Sequence, residues 1–199
     1  MNELLLRRRI VIINSTPALP YDARVEYISC TRGQYINTSI TTGPDATSYK
    51  IEIDLTINSN TSTVRYYCYS ATNNAINLYT SNGRFYNQGA YRAVTNGVRY
   101  TIIAETTETK RSVTIGQSTS TQSFSKDIND GKTIYILGGP SLTGANAYIH
   151  GFIIKKNDVD IFNAYPVRVG QVGYLYDTIS GQLFGNNGSG SFTIGNDVN

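Results

Sequence analysis

The chain has one histidine, His150, in the run A-Y-I-H-G-F. As a general base it would need a nucleophile or a carboxylate within hydrogen-bond reach. No Ser-His-Asp order, HExxH motif or phosphate-binding loop accompanies it. Strand alternation sets His150 with Tyr148 and Phe152, the pattern of a packed strand histidine. The one acid pair that merits a test is Glu52 and Asp54, two residues apart on the polar side of an alternating run. Glycoside hydrolysis needs two such carboxyl groups flanking the scissile bond. No third acid follows at close spacing, and tryptophan, which commonly lines sugar clefts, is absent. A solvated strand face accounts for the pair. No catalytic residue is assigned, and the chain is expected not to be an enzyme and to need no cofactor.

Two oxygen-rich clusters have the chemistry of a calcium loop. They are Asp127, Asn129 and Asp130, and Asn157, Asp158 and Asp160. The second fits a hairpin turn between Lys156 and Ile161 equally well, so no metal ligand is assigned. The two cysteines, Cys30 and Cys68, have neither CxxC nor metal spacing. They read as free thiols in strands, which suits assembly in a reducing cytoplasm. Exposed tyrosines remain as binding candidates. Tyr67, Tyr69, Tyr86 and Tyr91 offer flat amphipathic rings at low entropy cost, suited to sugars and to protein interfaces alike.

These side chains need a scaffold, and composition says which kind. Sixteen tyrosines, few prolines and abundant Gly, Thr, Ser and Asn between short apolar runs favour an all-β fold with many turns. The 199 residues suffice for one substantial core. The net charge of +3 comes from 17 basic and 14 acidic residues. Removing the first twenty residues takes away Arg7, Arg8, Arg9 and Glu3 and leaves 14 and 13, a nearly neutral body with no nucleic-acid footprint. No apolar run reaches the ~20 residues a membrane span needs. Leu4 to Leu6 is too short for a signal peptide, and three arginines follow it.

The cleanest strand is Tyr49 to Ile57, with Ile51, Ile53, Leu55 and Ile57 on one side and Lys50, Glu52, Asp54 and Thr56 on the other. In Thr63 to Ser70, alternation sets Tyr66 with Cys68 and Tyr67 with Tyr69. Asn82-Gly83 is a type I′ hairpin signal between strands at Ala75 to Tyr79 and Arg84 to Asn87, and Asn96-Gly97 precedes a further strand. Arg111 to Ile115 reads as a strand, and Gly116 to Ser125 as a Ser/Thr-rich stretch around Phe124. Lys132 to Leu137 and Tyr148 to Lys156 read as strands, and a return strand is expected to end at Pro166. Asp177 and Thr178 are placed to bond local backbone before Gly181.

Residues 1–20 stand apart as an N-terminal arm and linker, with the β domain over 21–199. Seven large aliphatics lie within thirteen residues, in Leu4, Leu5, Leu6, Ile10, Val11, Ile12 and Ile13, around Arg7, Arg8 and Arg9. Such a segment is costly to leave in water, and arginine suits bidentate pairing with a partner's carboxylates. Leu4, Leu5, Leu6, Arg7, Arg8, Arg9, Ile10 and Ile12 are the expected docking residues. Pro17 and Pro20 stiffen the linker.

The C-terminal runs Y-I-H-G-F-I-I, N-A-Y-P-V-R and G-Y-L-Y-D-T-I-S-G-Q-L-F-G-N-N-G-S-G-S-F, with V-E-Y-I-S-C-T-R-G-Q-Y-I-N-T-S-I near the start, carry a resemblance. From about Tyr21 to Gly195 the chain resembles concanavalin A-like (laminin-G-like) jelly-roll domains found in structural proteins of tailed phages of gut bacteria. The resemblance implies an antiparallel β-sandwich of jelly-roll topology, with an extended N-terminal arm. It implies a non-enzymatic virion protein, a capsid decoration or head-fibre component assembled in the host cytoplasm. The alternative is a carbohydrate-binding adhesin or tail/baseplate module that attaches the virion to bacterial surface glycans. Expected partners are other virion proteins (capsid, portal or tail component), further copies of the chain and bacterial glycans; neither nucleic acid nor membrane is expected.

Overall fold

The structure, a computed structural model, describes residues 18–70 and 75–198. The arm residues Leu4, Leu5, Leu6, Arg7, Arg8, Arg9, Ile10 and Ile12 therefore lie outside the described residues. In chain order the strands are β1 (Ala23–Arg24), β2 (Ile28–Cys30), β3 (Ile36–Thr41), β4 (Ser48–Ile57), β5 (Arg65–Tyr69) and β6 (Asn77–Ser81). They continue with β7 (Arg84–Asn87), β8 (Ala90–Ala93), β9 (Arg99–Thr107), β10 (Lys110–Ile115), β11 (Ser118–Ser123) and β12 (Thr133–Ile136). The last five are β13 (Ala147–Lys156), β14 (Val159–Val169), β15 (Val172–Asp177), β16 (Gln182–Phe184) and β17 (Thr193–Ile194). Among the described residues there is no helix, and hence none long and apolar enough to cross a membrane.

Two antiparallel sheets form a sandwich-like arrangement. The larger runs β11-β10-β9-β4-β13-β14-β15-β16, with β1 on β14, β2 on β13 and β17 on β2. The smaller runs β3-β12-β5-β6-β7-β8. At the centre of the larger sheet, β4 alternates buried and half-buried residues along its whole length. Ile51, Ile53, Leu55 and Ile57 are all buried, each worth roughly 1.5–3 kcal/mol relative to exposure. Facing them from the smaller sheet are Ile36, Cys68, Leu78, Phe85, Ile134 and Ile136, so one core lies between the layers.

The turns follow backbone chemistry. Asn82 and Gly83 both adopt positive φ, 48° and 73°, as a type I′ hairpin requires. Asn157 and Asp158 do the same between β13 and β14, at 52° and 62°.

One expectation is corrected here. Pro166 does not end its strand: β14 runs on to Val169, with Pro166 opposite Leu175 of β15. Its carbonyl accepts from Val25 N at 3.1 Å, at the point where β14 exchanges β13 for β1 as its neighbour. The missing N–H falls on that side, where the ladder is already interrupted, so proline is tolerated. The Ser/Thr-rich stretch after Ile115 takes on strand structure. It forms β11, paired residue for residue with β10.

Cys30 and Cys68 are free and fully buried. Burial pushes the Cys30 thiol, which donates to the Ala147 carbonyl at 3.4 Å, up to about 12, and pushes Cys68 up as well. Both are thus unreactive thiols. A thiol-reactive dye is expected to label neither in the native protein and both in denaturant, with identical melting in the presence and absence of reductant. Lower melting under reduction alone would contradict this.

Candidate functional site

The smaller sheet turns its outer face to solvent, and that face is lined with tyrosine. Strand register sets Tyr66 opposite Tyr79, Tyr79 opposite Tyr86, Tyr86 opposite Tyr91, and Tyr135 opposite Tyr69. Antiparallel neighbours lie within ring-contact reach, and a ladder results. Tyr79 and Tyr86 stack at 4.9 Å with planes 9° apart, Tyr86 meets Tyr91 at 5.4 Å, and Tyr66 meets Tyr79 at 6.0 Å and Tyr69 at 5.6 Å. Tyr35 packs edge-on against Tyr135 at 5.9 Å. Seven tyrosines thus line this face, six of them on the five strands from β12 to β8 and Tyr35 just before β3. Six are half-buried, and Tyr91, at the rim, is 41% exposed.

Because Tyr79 and Tyr86 turn their faces to each other, this part of the ladder offers solvent its ring edges and hydroxyls. The phenols of Tyr66 and Tyr79 are pushed above their ordinary value, first by burial and then by the neighbouring tyrosines. They remain protonated donors at neutral pH. Arg84 closes the rim, its guanidinium 4.4 Å from the Tyr91 ring centroid and hydrogen-bonded to Tyr86, which holds its pKa up.

Of the four tyrosines singled out in the sequence, Tyr69, Tyr86 and Tyr91 belong to this ladder and Tyr67 does not. Tyr67 is fully buried, 5.3 Å from Phe85 in the core. The cause is a bulge in β5. Tyr66 pairs with Tyr79 and Cys68 with Leu78, so Tyr67 is an extra residue, and the side-chain alternation slips by one. Tyr66 and Tyr69 then share the outer face, while Tyr67 and Cys68 both point inward. Alternation alone pairs Tyr67 with Tyr69, and here it fails.

Charge is distributed unevenly over the two sheets. The six strands of the smaller sheet contain no Asp or Glu. Of their three arginines, Arg65 is buried and Arg92 donates to the Ser118 carbonyl at the edge of the larger sheet. That leaves Arg84 on the tyrosine face. The larger sheet's outer face carries the carboxylates. Asp54 takes a bidentate bond from Arg99 at 2.8 and 2.6 Å. Glu52 lies 3.7 Å from Lys155, which also bonds Asp160 at 2.8 Å. Lys50 bonds Asp158 at 2.6 Å. These partners hold Asp158 and Asp160 below the ordinary carboxylate value and Lys50, Arg99 and Lys155 above theirs.

Two adjoining shallow clefts of about 410 and 340 Å³ open on this outer face where β14 leaves β13 for β1, and Arg24 borders both. One is lined by Tyr27, Arg99 and His150, the other by Glu52, Asp54 and Tyr165. Arg24 lies over the Tyr165 ring at 4.1 Å. Tyr165's pKa is raised to about 12 by burial and by its hydrogen bond with Tyr21. His150 has both ring nitrogens engaged. Nδ1 lies 2.8 Å from the Glu26 carbonyl, which accepts only, so Nδ1 carries the proton. Nε2 meets the Thr56 hydroxyl at 3.1 Å. Neither nitrogen is open to a substrate.

The oxygen clusters are occupied by the fold itself. Asn157 Oδ1 accepts from Thr47 N and Ser48 N, and its amide donates to the Asp45 carbonyl. Asp127 accepts from Asn129 N, Asn129 ties to Ala46, and Asp130 accepts from Thr42 and from Lys132 N. Among the described residues no group of three His, Cys, Asp or Glu is placed to hold a metal ion.

Sequence reasoning missed Tyr35, Tyr66, Tyr79 and Tyr135 as ladder members. The available signal was a solvent-side tyrosine in nearly every short strand, but joining them requires the pairing order β12-β5-β6-β7-β8. A comparison with protein-family models finds no match, and a comparison with curated proteins finds none.

Proposed function

We propose that the chain is a non-enzymatic structural protein of a tailed-phage particle, a decoration or head-fibre component. Its N-terminal arm docks on the particle and its sandwich is displayed outward. The observation that carries this reading is the division of labour between the two sheets. The acids that resemble catalytic groups are held in ion pairs and the histidine is saturated, while the opposite face is aromatic, with no carboxylate in its strands and Arg84 at its rim. The two-sheet antiparallel architecture is compatible with a jelly roll of concanavalin A-like type, and the resemblance of the C-terminal runs to phage structural proteins supports the setting. That fold hosts lectins, enzymes and passive modules alike, so function is argued from the faces.

The test is incorporation. The full chain and a variant lacking residues 1–20 are mixed with particles devoid of the protein, and occupancy is measured. The full chain is expected to restore occupancy and the truncated chain to fold without joining. Wild-type occupancy of the truncated chain would remove the arm as anchor.

A second reading, a glycan-binding adhesin, is favoured by the ladder itself. A row of phenol hydroxyls ending at Tyr91 and Arg84 presents donors and an amphipathic rim suited to sugar hydroxyls. On a bacterial glycan array this reading predicts saturable binding that Tyr86→Ser and Tyr91→Ser reduce at least tenfold. A blank array would leave the structural role alone.

A further inference from the structure

The edges of the two sheets differ in how they are closed. The smaller sheet's edge at β3 is kinked by Ser39 at φ 58°. It is also covered by a loop, with Asn186 and Asn187 side chains accepting from Tyr35 N and Asn37 N. At the opposite edge β8 has only four residues, and β16, at one end of the larger sheet, has three. The other end is β11, S-T-S-T-Q-S, six residues long. Five of its six residues are exposed and Ser120 is half-buried. It contains no charge and no proline, and its register against β10 is unbroken over six pairs. Soluble proteins normally blunt such an edge with charge, proline or a bulge. None of these devices is present in β11.

The register says which backbone groups face outward. Phe124 N donates to the Thr109 carbonyl at 2.9 Å, one step beyond the pair Lys110 and Ser123. Hydrogen-bonded and non-hydrogen-bonded pairs alternate in an antiparallel ladder. Gln122, Ser120 and Ser118 therefore bond inward to β10, and Thr119, Thr121 and Ser123 turn their N–H and C=O away from it. This agrees with the two-residue turn Gly116-Gln117, whose flanking pair is Ile115 and Ser118.

We propose that β11 pairs antiparallel with β11 of a second copy about a two-fold axis at Thr121, joining the two larger sheets into one. In this register Thr121 faces its own copy, Thr119 faces Ser123 and Ser120 faces Gln122. A two-fold interface sets the central residue against itself, so a charge there would repel itself; β11 has none. The β-branched Thr119 and Thr121 favour the extended state, and their hydroxyls lie on the sheet's outer face with Thr114, which Thr119 bonds at 2.9 Å. The contact is separate from the tyrosine face.

The full chain is examined by size-exclusion chromatography with light scattering, alongside Thr121→Lys, Thr121→Pro and Thr121→Cys. The wild type is expected at the mass of two chains. Thr121→Lys opposes two ammonium groups, and Thr121→Pro removes an outward donor that an edge strand can lack. Both are expected to weaken association at least tenfold with unchanged circular dichroism. Thr121→Cys is expected to form a disulfide-linked pair on mild oxidation, since residues directly opposite stand within disulfide reach. The native thiols are buried and do not interfere. Ser120→Cys, which faces Gln122 of the other copy, should not link. Wild type at one-chain mass overturns the proposal. So does an oligomer that survives both Lys and Pro and leaves Thr121→Cys unlinked; its interface lies elsewhere.

Discussion

Phe162→Ala is expected to cost about 3–5 kcal/mol of stability, the range for emptying a large buried aromatic site. Phe162 is fully buried on β14, opposite Ile154, where the larger sheet closes on the core. It joins two other rings, Phe152 at 6.4 Å and Phe184 at 5.3 Å, both edge-on. Alanine removes the middle member of that trio. Its neighbours lie on β13, paired with β4 on its other side, and on β16, paired with β15, and backbone pairing limits their collapse into the space. Phe162→Leu should lose roughly 1–2 kcal/mol, because most of the volume is kept. Urea unfolding measures both, and a shift in midpoint at constant slope identifies a native-state effect. A loss below about 1 kcal/mol for alanine would mean that this end of the sandwich is loosely packed.

Asp177→Ala is expected to cost about 3 kcal/mol or more, since bonds to a charged acceptor are worth ~1.5–3 kcal/mol each and do not add simply. Asp177 is 2% exposed at the end of β15. Its carboxylate accepts from Asn163 N at 2.7 Å, Ile179 N at 3.3 Å, Ser180 N at 3.0 Å and the Ser180 hydroxyl at 2.6 Å. It thus fastens the turn after β15 to β14, a clamp completed by Thr178, whose N–H and hydroxyl both donate to the Asn163 carbonyl. Asp177→Asn should cost less, because one acceptor oxygen remains while the other becomes a donor. Equal effects for Ala and Asn would show that the charge, not the geometry, holds the turn.

The bonds of Asp177 to Ile179 and Ser180 were legible in Y-D-T-I-S-G because they are local, whereas its bond from Asn163 N and the two bonds of Thr178 to the Asn163 carbonyl reach across to β14 and were not. β4 was legible because eight alternating residues leave one assignment of faces, and the Asn82-Gly83 turn because so few residues accept its dihedrals. Tyr67 was not. Whether β5 keeps alternation depends on β6, which fits only with one residue looped out between Tyr66 and Cys68. Pro166 was misread for a related reason, since its tolerance depends on β1 arriving beside β14. β11 carries no apolar alternation at all, and its strand state comes from pairing with β10. Partner choice between distant segments, not local preference, decided each of these. The ladder follows the same rule: single tyrosines are visible one by one, and their union is a property of strand order.

A reconstruction of the assembled particle at side-chain resolution decides how the chain is held. Residues 1–20 are expected to be seated against a neighbouring virion protein, with Tyr66, Tyr79, Tyr86 and Tyr91 facing solvent. A tyrosine face buried against the shell, with the arm free of contacts, would contradict this.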